Sequence, residues 1–581
     1  MKILFLSRSY NSLTQRLHVE LAALGHEVSI EFDIADSVTE EAVALFRPDV
    51  VIASFMKRAI PESVWRNVRC LIVHPGIVGD RGASALDWAI LAGEREWGVT
   101  VLQAEAAMDA GPVWATEAFP MRAGATKSSL YRNEVTEAAV RAVLAALERI
   151  ALGEYVPQRV QAGDPGVRGI ARPLMKQSDR ALDWQRHSTD ELLARLNASD
   201  GVPGVLDRLF DEPVFLFDAH RGEGAAPADA VPGRVVARCH GAVQVATRDA
   251  SLWIGHARRL PQGEDDTPFK LPATQVLAAQ VAGLPERDGY PEIAYEEHGS
   301  GDDCVGVLHF PFYNGAMGTA QCERLLAAYR QALARPTRVL LLAGGPDFFS
   351  NGIHLNLIEA AASPADESWR NINAIDDVCE AVISTTDRLV FATLQGNAGA
   401  GGVFLALTAD AVWAREGVIL NPHYKNMGNL YGSEYWTYTL PRRVKRAGGS
   451  EADARRVMDN RLPLSAAQAQ AAGLVDKVIA SGRATFLADA IARAQRVAAG
   501  ADFAALVRDK LKRRQRHEAE RPLAAYRADE LARMRRNFYG FDSSYHVARS
   551  YFVHKTLHSW SPRHLALHRR GPAAPERQAV A

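Results

Sequence analysis

The chain has 581 residues, of which 48% are hydrophobic and 23% charged, with a formal net charge of −1. This composition is that of a globular protein of several domains, at roughly 150 residues each, and the charge balance argues against nucleic acid or an anionic membrane as a partner. No apolar run is long enough to span a membrane. The apolar N-terminal run is interrupted by Arg8, which argues against a signal peptide. The five cysteines are scattered and form no CxxC pair, so they indicate neither disulfides nor a metal site. We therefore expect a cytoplasmic protein with no metal, nucleic-acid or membrane partner.

The first 160 residues alternate between short apolar runs and helical patterns. The runs are KILFL (2–6), EVSIEF (27–32), DVVIASF (49–55) and CLIVHP (70–75), with helical patterns at 13–25 and 39–46. This alternation predicts a doubly wound, largely parallel sheet with a Rossmann-like arrangement. Such sheets bind ligands at the carboxyl ends of their strands, where Arg8 and His74 both fall.

Residues 170–262 have a different sequence pattern. A linker at 155–169 leads to a helical pattern at 188–201 with Ser188 as a candidate N-cap, and short strands broken by Gly and Asp follow. We predict a small β-rich, OB-like domain here, followed by a linker at 263–302 that is rich in Pro, Gly, Asp and Glu.

A third unit is predicted at 303–500. The runs at 304–312, 338–345 and 388–396 read as strands, the last two entering Gly-containing turns, and Thr319 can cap a helix that continues through Arg330. Residues 501–581 are predicted as a helical C-terminal region. It is basic, with 17 Lys and Arg against 7 Asp and Glu from residue 508 onward.

Two motifs of the first unit carry a resemblance to a known family. They are 74-HPGIVGDRGASALDWAI-90 and 98-GVTVLQAEAAMDAG-111, which together resemble the signature of folate-dependent formyltransferases. The resemblance implies that the unit binds N10-formyl-tetrahydrofolate. It further implies that His74 stabilises an oxyanion or shuttles a proton. Asp109 would orient or polarise His74 and transfer protons through water.

The sequence also departs from that family. The family places an Asn two residues before the His, where this chain has Ile72, so ordinary transfer to an amine is in doubt. The folate pocket is expected to include Ile72 and the loop residues Met56, Lys57 and Arg58. The β-rich unit, from 175-MKQSDRALDW-184, resembles the C-terminal domain of these enzymes, but without a marked basic excess a tRNA partner is not expected.

Three motifs of the third unit resemble the crotonase (enoyl-CoA hydratase/isomerase) superfamily. They are 348-FFSNGIHLN-356, 396-GNAGAGGVFLALTAD-410 and 463-PLSAAQAQAAGLVDKVI-479. The resemblance implies a crotonase-like α/β spiral in which the backbone amides of Asn351 and Gly401 hold a thioester carbonyl.

The residues that hydratases use for catalysis are replaced in this chain. Phe404 occupies the position of the first hydratase glutamate, and His423 lies near the position of the second glutamate. His354 replaces the aspartate of the first motif. Hydration of an enoyl-CoA is therefore not expected. The polar groups that remain are Tyr424, Tyr431 and Glu434.

The order of the units, with the tail motif 537-NFYGFDSSYHVARSYFVHK-555, resembles the HypX (HoxX) family of hydrogenase maturation factors over almost the whole chain. The resemblance implies formyl transfer from N10-formyl-tetrahydrofolate to coenzyme A, then decarbonylation of formyl-CoA to carbon monoxide for the iron of [NiFe]-hydrogenase. Tyr424 and Glu434 would be the acid-base residues, and His354 would line the coenzyme A site. Arg8 and the Arg-rich tail are candidates for its phosphates, and other hydrogenase maturation proteins are possible partners.

Two alternatives remain open from the sequence. The chain could hydrolyse formyl-tetrahydrofolate or formyl-CoA and release formate. The crotonase-like half could instead be a non-catalytic module that docks a maturation partner.

Overall fold

The computed structural model describes residues 1–160, 163–223, 230–556 and 558–570. Residues 161–162 of the predicted first linker, 224–229 of the β-rich unit, and 557 and 571–581 of the predicted tail lie outside the described residues.

The first unit is a six-stranded sheet with helices packed on it. Its strands are β1 (Lys2–Ser7), β2 (Glu27–Phe32), β3 (Val50–Phe55), β4 (Cys70–His74), β5 (Glu96–Gln103) and β6 (Val113–Pro120). Its helices are α1 (Ser12–Ala23), α2 (Asp36–Phe46), α3 (Glu62–Trp65), α4 (Ala85–Leu91), α5 (Lys127–Leu130) and α6 (Thr136–Leu152), with a π-helical turn, Tyr131–Val135, between the last two.

The strand order is β2-β1-β3-β4-β5-β6, and only the first four strands are parallel. The predicted Rossmann-like arrangement is confirmed, but β5 and β6 are antiparallel to their neighbours. A direct turn at 104–112 joins β5 to β6, and such a turn is too short for the crossover that parallel pairing requires. That turn carries Asp109.

The second unit is a small antiparallel sheet in the order β7-β8-β11-β10-β9. Its elements are α7 (Gln177–Arg180), α8 (Thr189–Ser199), β7 (Val205–Leu209), β8 (Glu212–Arg221), β9 (Val235–Cys239), β10 (Ala242–Ala246), β11 (Ser251–Arg259) and β12 (Leu271–Pro272). Ser188 caps α8 as predicted, because its hydroxyl accepts the backbone N–H of Glu191 and the Glu191 carboxylate accepts the N–H of Ser188.

The predicted linker at 263–302 contains secondary structure, which corrects the sequence interpretation. Strand β12 pairs with β11, and helices α9 (Ala273–Val276) and α10 (Ala278–Val281) follow. Leu277 and Val281 are buried in the core of the second unit, so this part folds because it has apolar surface to bury. Strand β13 (Ala294–His298) then becomes the antiparallel edge of the third sheet.

The third unit is built on the sheet β13-β14-β16-β19-β21-β24, parallel from β14 onward. Its further strands are β14 (Val305–Phe310), β15 (Ala316–Met317), β16 (Val339–Gly344), β17 (Phe348–Ser350), β18 (Gly352–Ile353), β19 (Leu389–Leu394), β20 (Asn397–Gly399), β21 (Ala411–Arg415), β22 (Ile419–Asn421), β23 (Leu464–Ser465) and β24 (Lys477–Ile479). Its helices are α11 (Thr319–Leu333), α12 (Leu355–Ala360), α13 (Pro364–Ser384), α14 (Gly401–Leu407), α15 (Trp436–Arg446), α16 (Glu451–Asp459), α17 (Ala466–Ala471) and α18 (Phe486–Ala498).

One helix prediction in this unit needs a correction. The cap of α11 is Gly318, whose N–H donates to the Gln321 side chain at 2.9 Å. The Thr319 hydroxyl donates instead to the Glu367 carboxylate at 2.7 Å.

The C-terminal region is helical only in part. Helices α19 (Phe503–Glu520), α20 (Leu523–Tyr539) and α21 (Ser544–Val553) are present, and residues 558–570 contain no α-helix. These residues, called the C-terminal segment below, lie along the edge strand β2 of the first unit. The N–H of Ile30 donates to the Leu565 carbonyl at 3.0 Å, and the N–H of Phe32 donates to the Ser561 hydroxyl at 2.7 Å. The helical prediction fails here because the segment folds into turns that hydrogen-bond to an edge strand.

The first and third units meet at a carboxylate. Asp347 accepts hydrogen bonds from Ser129 Oγ at 2.6 Å and from Asn133 Nδ2 at 2.9 Å, and Arg132 Nη1 lies 3.2 Å from it. These contacts hold α5 and the π-helical turn against the turn after β16. Within the described ranges, no helix has the length and apolar character needed to cross a bilayer.

Candidate active sites

The first candidate site is centred on His74, the last residue of β4. The ring is buried, and its Nε2 lies 3.2 Å from Asp80 Oδ1. Arg172 Nε donates to the other oxygen of Asp80 at 2.8 Å. Asp80 therefore orients the imidazole, since a carboxylate on one ring nitrogen fixes both the tautomer and the ring plane.

Asp109 approaches the other side of the same ring. Its Oδ2 lies 3.6 Å from His74 Nδ1 and accepts the backbone N–H of Gly82 at 3.1 Å. Asp109 has a φ of 50°, which is the left-handed region that Asp adopts more readily than most residues. The turn between β5 and β6 thus brings the two predicted catalytic residues together.

The predicted folate-binding residues lie on the rim around His74. The Arg8 N–H donates to the Phe55 carbonyl at 2.7 Å, which places Arg8 beside the loop that begins at Met56. Ile72 is half-buried on β4, on the same face as His74 because side chains alternate along a strand. Met56 is also half-buried, whereas Lys57 is exposed.

The Arg58 side chain is already bonded to the first unit. Its Nη1 donates to the Ile34 carbonyl at 2.8 Å, and it pairs with the Asp36 carboxylate. A folate contact would compete with these bonds.

The second candidate site is a buried tyrosine-glutamate pair in the third unit. Tyr424 donates its hydroxyl to Glu434 Oε2 at 2.5 Å, and the Ser433 N–H donates to the same oxygen at 3.0 Å. Only 6% of Tyr424 and 1% of Glu434 is exposed, so the pair is separated from bulk water.

Glu434 faces the turn that precedes α14. A Cβ placed on Gly401 would lie 2.0 Å from Glu434 Oε1. A side chain at this position would therefore displace the Glu434 carboxyl, which lies directly against the backbone of Gly401. Because Gly401 is the first residue of α14, its N–H has no partner within the helix, and its predicted role as an oxyanion donor stays a prediction.

The Asn351 prediction needs a correction. The Asn351 N–H donates to the Gly315 carbonyl at 2.7 Å, so this amide is occupied and does not supply the second donor of an oxyanion hole. The neighbouring Gly352 approaches the site more closely, since a Cβ on it would lie 3.1 Å from the nitrogen of Gly401.

The replaced hydratase positions now serve packing. Phe404 stacks on the Tyr424 ring with centroids 5.1 Å apart, so this side chain supports the tyrosine. Gly432 has a φ of 87°, and a Cβ on it would lie 2.0 Å from Tyr424 Cε2. His354 caps α12 by accepting the Leu357 N–H at 3.3 Å, and burial lowers its pKa to about 3. The structure thus gives His354 a capping role, and its role at a coenzyme A site stays a prediction.

The electrostatics of the pair favour retained protons. Burial, and then the nearby Asp376 carboxylate, raise the pKa of Glu434 to about 8. Burial and Glu434 raise the pKa of Tyr424 well above its ordinary value. The carboxyl of Glu434 therefore exchanges its proton near neutral to mildly alkaline pH, which suits acid-base chemistry.

Three residues of these sites were missed from the sequence. Asp80 stands six residues after His74 in the same motif, so its position offered a signal. Asp376 on α13 and Glu530 on α20 also belong to the second site. They lie 58 residues before and 96 residues after Glu434 in the chain, and no local sequence pattern marks them. Asp376 accepts the Glu434 N–H at 2.8 Å, and Glu530 accepts the Tyr435 N–H at 3.0 Å.

Comparison with known families matches three stretches of the chain. The formyl transferase family matches residues 26–147, the formyl transferase C-terminal domain matches 174–263, and the enoyl-CoA hydratase/isomerase family matches 308–560. A methionyl-tRNA formyltransferase from Delftia acidovorans is 28% identical over 250 residues, which cover 42% of this chain and 75% of that protein. The formyltransferase and hydratase-like domains indicate an enzyme.

Two similar proteins match over essentially the whole length. A hydrogenase maturation factor HoxX from Bradyrhizobium diazoefficiens is 57% identical over 584 residues, covering 100% of both chains. The crystal structure of HypX from Aquifex aeolicus in complex with tetrahydrofolic acid is 46% identical, covers 99% of this chain and 100% of that chain, and superposes with a TM-score of 0.92. Since identity and fold agree from the first unit to the C-terminal region, the chain belongs to the HypX/HoxX family of hydrogenase maturation factors.

Proposed function

We propose that this protein makes carbon monoxide in two steps for the maturation of [NiFe]-hydrogenase. The first site transfers the formyl group of N10-formyl-tetrahydrofolate to the thiol of coenzyme A. The second site decarbonylates the resulting formyl-CoA. The observation that carries the proposal is the buried Tyr424–Glu434 pair against Gly401, in a crotonase-like unit that has lost both hydratase glutamates.

In the first step the thiol sulfur attacks the formyl carbon, the bond from that carbon to N10 breaks, and N10 takes up a proton as tetrahydrofolate leaves. The proton that the thiol loses equals the proton that N10 gains, so the step is balanced. His74, held between Asp80 and Asp109, supplies a group that stabilises the oxyanion and moves that proton. The tetrahydrofolic acid bound to the Aquifex aeolicus protein supports folate as the donor.

Ile72 supports a thiol, in place of an amine, as the acceptor of the formyl group. It replaces the asparagine of amine-directed formyltransferases by an apolar side chain on the same strand face as His74. A thiol is a softer and more acidic nucleophile than an amine. It therefore needs less help from a polar neighbour.

In the second step the Glu434 carboxylate takes the proton of the formyl group. The electrons of the C–H bond stay on carbon as the lone pair of CO. An oxygen lone pair completes the carbon–oxygen triple bond while the C–S bond breaks and its electrons leave on sulfur. Glu434 then returns the proton to the thiolate, so that formyl-CoA gives CO and coenzyme A in balance. The Tyr424 hydroxyl, 2.5 Å from Glu434, stabilises the carboxylate before it acts.

Coenzyme A binding is proposed to use the rim of the first site. Arg8 is half-buried at the carboxyl end of β1, next to the loop after β3, where a guanidinium can bind a phosphate. Several tail arginines are already paired, as Arg549 is with Glu359 at 2.5 Å. Other hydrogenase maturation proteins, in the cytoplasm, are the proposed recipients of the product.

One assay tests the function. The purified protein is incubated with N10-formyl-tetrahydrofolate and coenzyme A, and CO is detected with a haem reporter while formate is measured in parallel. We expect CO from the wild type and none above background from Tyr424→Phe or Glu434→Gln. Wild-type amounts of CO from both variants would contradict the proposed second step.

The same assay separates the alternatives. Formate in place of CO would identify a hydrolase. No product from folate and coenzyme A together would favour a docking module.

A further inference from the structure

The second site contains three buried carboxyl groups, of which the proposed mechanism uses only one. Asp376, Glu434 and Glu530 are each at most 1% exposed. They come from α13, from the segment before α15, and from α20. A cluster of this kind is costly to bury, so each member should have a specific task.

Two of the carboxyls hold the segment that carries the third. Asp376 Oδ1 accepts the backbone N–H of Glu434 at 2.8 Å, and its Oδ2 accepts the Ser433 hydroxyl at 2.7 Å. Glu530 accepts the backbone N–H groups of Tyr435 at 3.0 Å and of Thr437 at 2.8 Å. The segment is therefore bonded on both sides of Glu434.

The segment needs such bonds because its backbone is unfavourable. Glu434 has a φ of 59° and Tyr435 a φ of 56°, which is the left-handed region that residues with a Cβ rarely adopt in succession. This conformation directs the Glu434 side chain back toward Gly401. Without the two acceptors the backbone would relax and the carboxyl would leave the glycine.

Among the residues that the structure describes, few charged and titratable groups face Glu434. They are Tyr424 from the preceding loop, Asp376 and Cys379 from α13, Cys322 from α11, and Glu530 and Arg527 from α20. Arg527 is the cation of the group, at 4.0 Å from Asp376, and it is shared with Asp377 at 2.7 Å and Glu380 at 3.0 Å. Burial raises the pKa of Asp376 to about 7, so its negative charge develops only near neutral pH and then acts on Glu434 with incomplete compensation.

We propose that Asp376 and Glu530 are positioning residues of the second site, which fix the Glu434 carboxyl against Gly401. Asp376, whose Oδ1 accepts the Glu434 N–H, also brings a negative charge close to that carboxyl. The inference rests on the proposed function for its meaning in catalysis. It also makes α20, in the region predicted as basic and helical, a structural part of the site.

The first test isolates the charge of Asp376. Asp376→Asn keeps an oxygen that can accept the Glu434 N–H, but it removes the negative charge. The protonation of Glu434 is followed by infrared difference spectroscopy in the full-length protein, with the carboxyl band assigned by its loss in Glu434→Gln. Since a nearby like charge raises the pKa of a carboxyl, we expect the midpoint of this band to move about one pH unit lower in Asp376→Asn.

The matched control is Asp529→Asn. This carboxylate neighbours Glu530 on α20, but it is 69% exposed and pairs with Arg521. We expect the midpoint in Asp529→Asn to equal that of the wild type. An unchanged midpoint in Asp376→Asn, with the band still assigned to Glu434, would overturn the role of the Asp376 charge.

The second test concerns position. Both oxygens of Glu530 accept backbone N–H groups, so Glu530→Gln must turn its amide nitrogen toward one of these donors. We expect the turnover number for CO release from supplied formyl-CoA to fall at least 10-fold with little change in KM, and with formyl transfer at the first site retained as evidence of an intact fold. A turnover number equal to that of Asp529→Asn would overturn the positioning role.

The two proposals fail in different ways. If the wild type releases no CO from formyl-CoA, the proposed function is wrong, whereas the infrared midpoint still decides whether Asp376 controls Glu434. In that case the infrared band of Glu434 is the only test of the positioning role of Glu530. Glu530→Gln is expected to shift its frequency because the carboxyl changes its contacts, and an unshifted band would overturn the positioning role.

Discussion

His74 illustrates how a residue acquires a role from neighbours that its motif only partly shows. The sequence predicted the histidine and Asp109, because the motif spacing and the strand end agreed. Asp80 stands in the same motif, yet its burial at 0% exposed side chain and its bond to Arg172 depend on chain that returns about 90 residues later. Contacts of that kind are set by tertiary folding, which a local pattern does not contain.

The Asp80 contact leads to a prediction for the first step. Asp80→Asn leaves the His74 ring without a carboxylate on Nε2, so the imidazole loses its fixed orientation. We expect the rate of tetrahydrofolate release from N10-formyl-tetrahydrofolate and coenzyme A to fall on the order of 10²-fold, and CO release from supplied formyl-CoA to be unchanged. Glu96→Gln, at an exposed carboxylate of the same unit, is the control. Equal losses in both half-reactions would show a general folding defect instead.

Ile72 gives a second prediction at the same scale. Ile72→Asn restores the side chain of amine-directed formyltransferases on the strand face of His74. We expect the ratio of transfer to a small amine over transfer to coenzyme A to rise about 10-fold, as for a difference of about 1.4 kcal/mol between the two transition states. Competition between the two acceptors in one reaction measures the ratio directly. If neither rate nor preference changes, Ile72 does not determine the acceptor.

Among the elements, the helices and strands with clear periodicity were predicted well, and the pairing partners were not. Strand β4 and helix α8 were predicted from apolar runs and from the Ser188 cap. The antiparallel β5–β6 pair and the non-helical C-terminal segment were missed, because both depend on which strand edge is free. The occupied amide of Asn351 is a similar case, since only the fold shows that the Gly315 carbonyl faces it.

The C-terminal segment and β2 together allow a prediction about stability. Glu31 is buried on β2 and accepts hydrogen bonds from Ser561, from His568 Nε2 at 2.7 Å and from Arg569 Nε at 2.6 Å. Burial alone would raise the pKa of Glu31, but the bonds from His568, Ser561 and Arg569 outweigh it and the pKa is lowered. The stabilisation is therefore present above the unfolded pKa of about 4.3 and is lost as the pH falls through the folded value.

Glu31→Gln should remove this stabilisation at neutral pH. Because the change leaves His568 and Arg569 without their carboxylate, we expect a loss of about 3 kcal/mol in the free energy of unfolding. We also expect a weaker dependence of stability on pH below about 4.3. Urea unfolding measures both, and hydrogen exchange at the Ile30 and Phe32 amides reports whether the segment has detached. Glu41→Gln, at the exposed second partner of Arg569, should change the free energy of unfolding little.

At the scale of the whole molecule, the order of the units was the most predictable property. Each unit carries its own motifs, and their succession identified the family before any contact was known. How the units touch was not predictable, since surface charges such as Asp347 and Arg132 have no signature that distinguishes an interface from solvent.

Asp347 allows a prediction about the joining of the two halves. Asp347→Ala leaves Arg132, Ser129 and Asn133 without their acceptor, at a cost of about 3 kcal/mol to the interface. We expect calorimetry to show an earlier transition for the first unit, and CO from N10-formyl-tetrahydrofolate and coenzyme A to fall more than CO from supplied formyl-CoA. Asp387→Asn, at an exposed carboxylate of the third unit that pairs with Arg388, is the comparison. A parallel fall in both reactions would mean that the interface serves stability alone.

The bonds of Glu31 have a consequence for the order in which the polypeptide matures. During translation β2 leaves the ribosome more than 500 residues before Ser561, His568 and Arg569 are synthesised. Throughout that interval the Glu31 carboxylate has none of these three donors, and the edge of the first sheet is open. A truncated product of premature termination would keep this defect permanently, and proteases could recognise it. The formyl-binding half thus reaches its final stability only once the half that consumes the formyl group has been made.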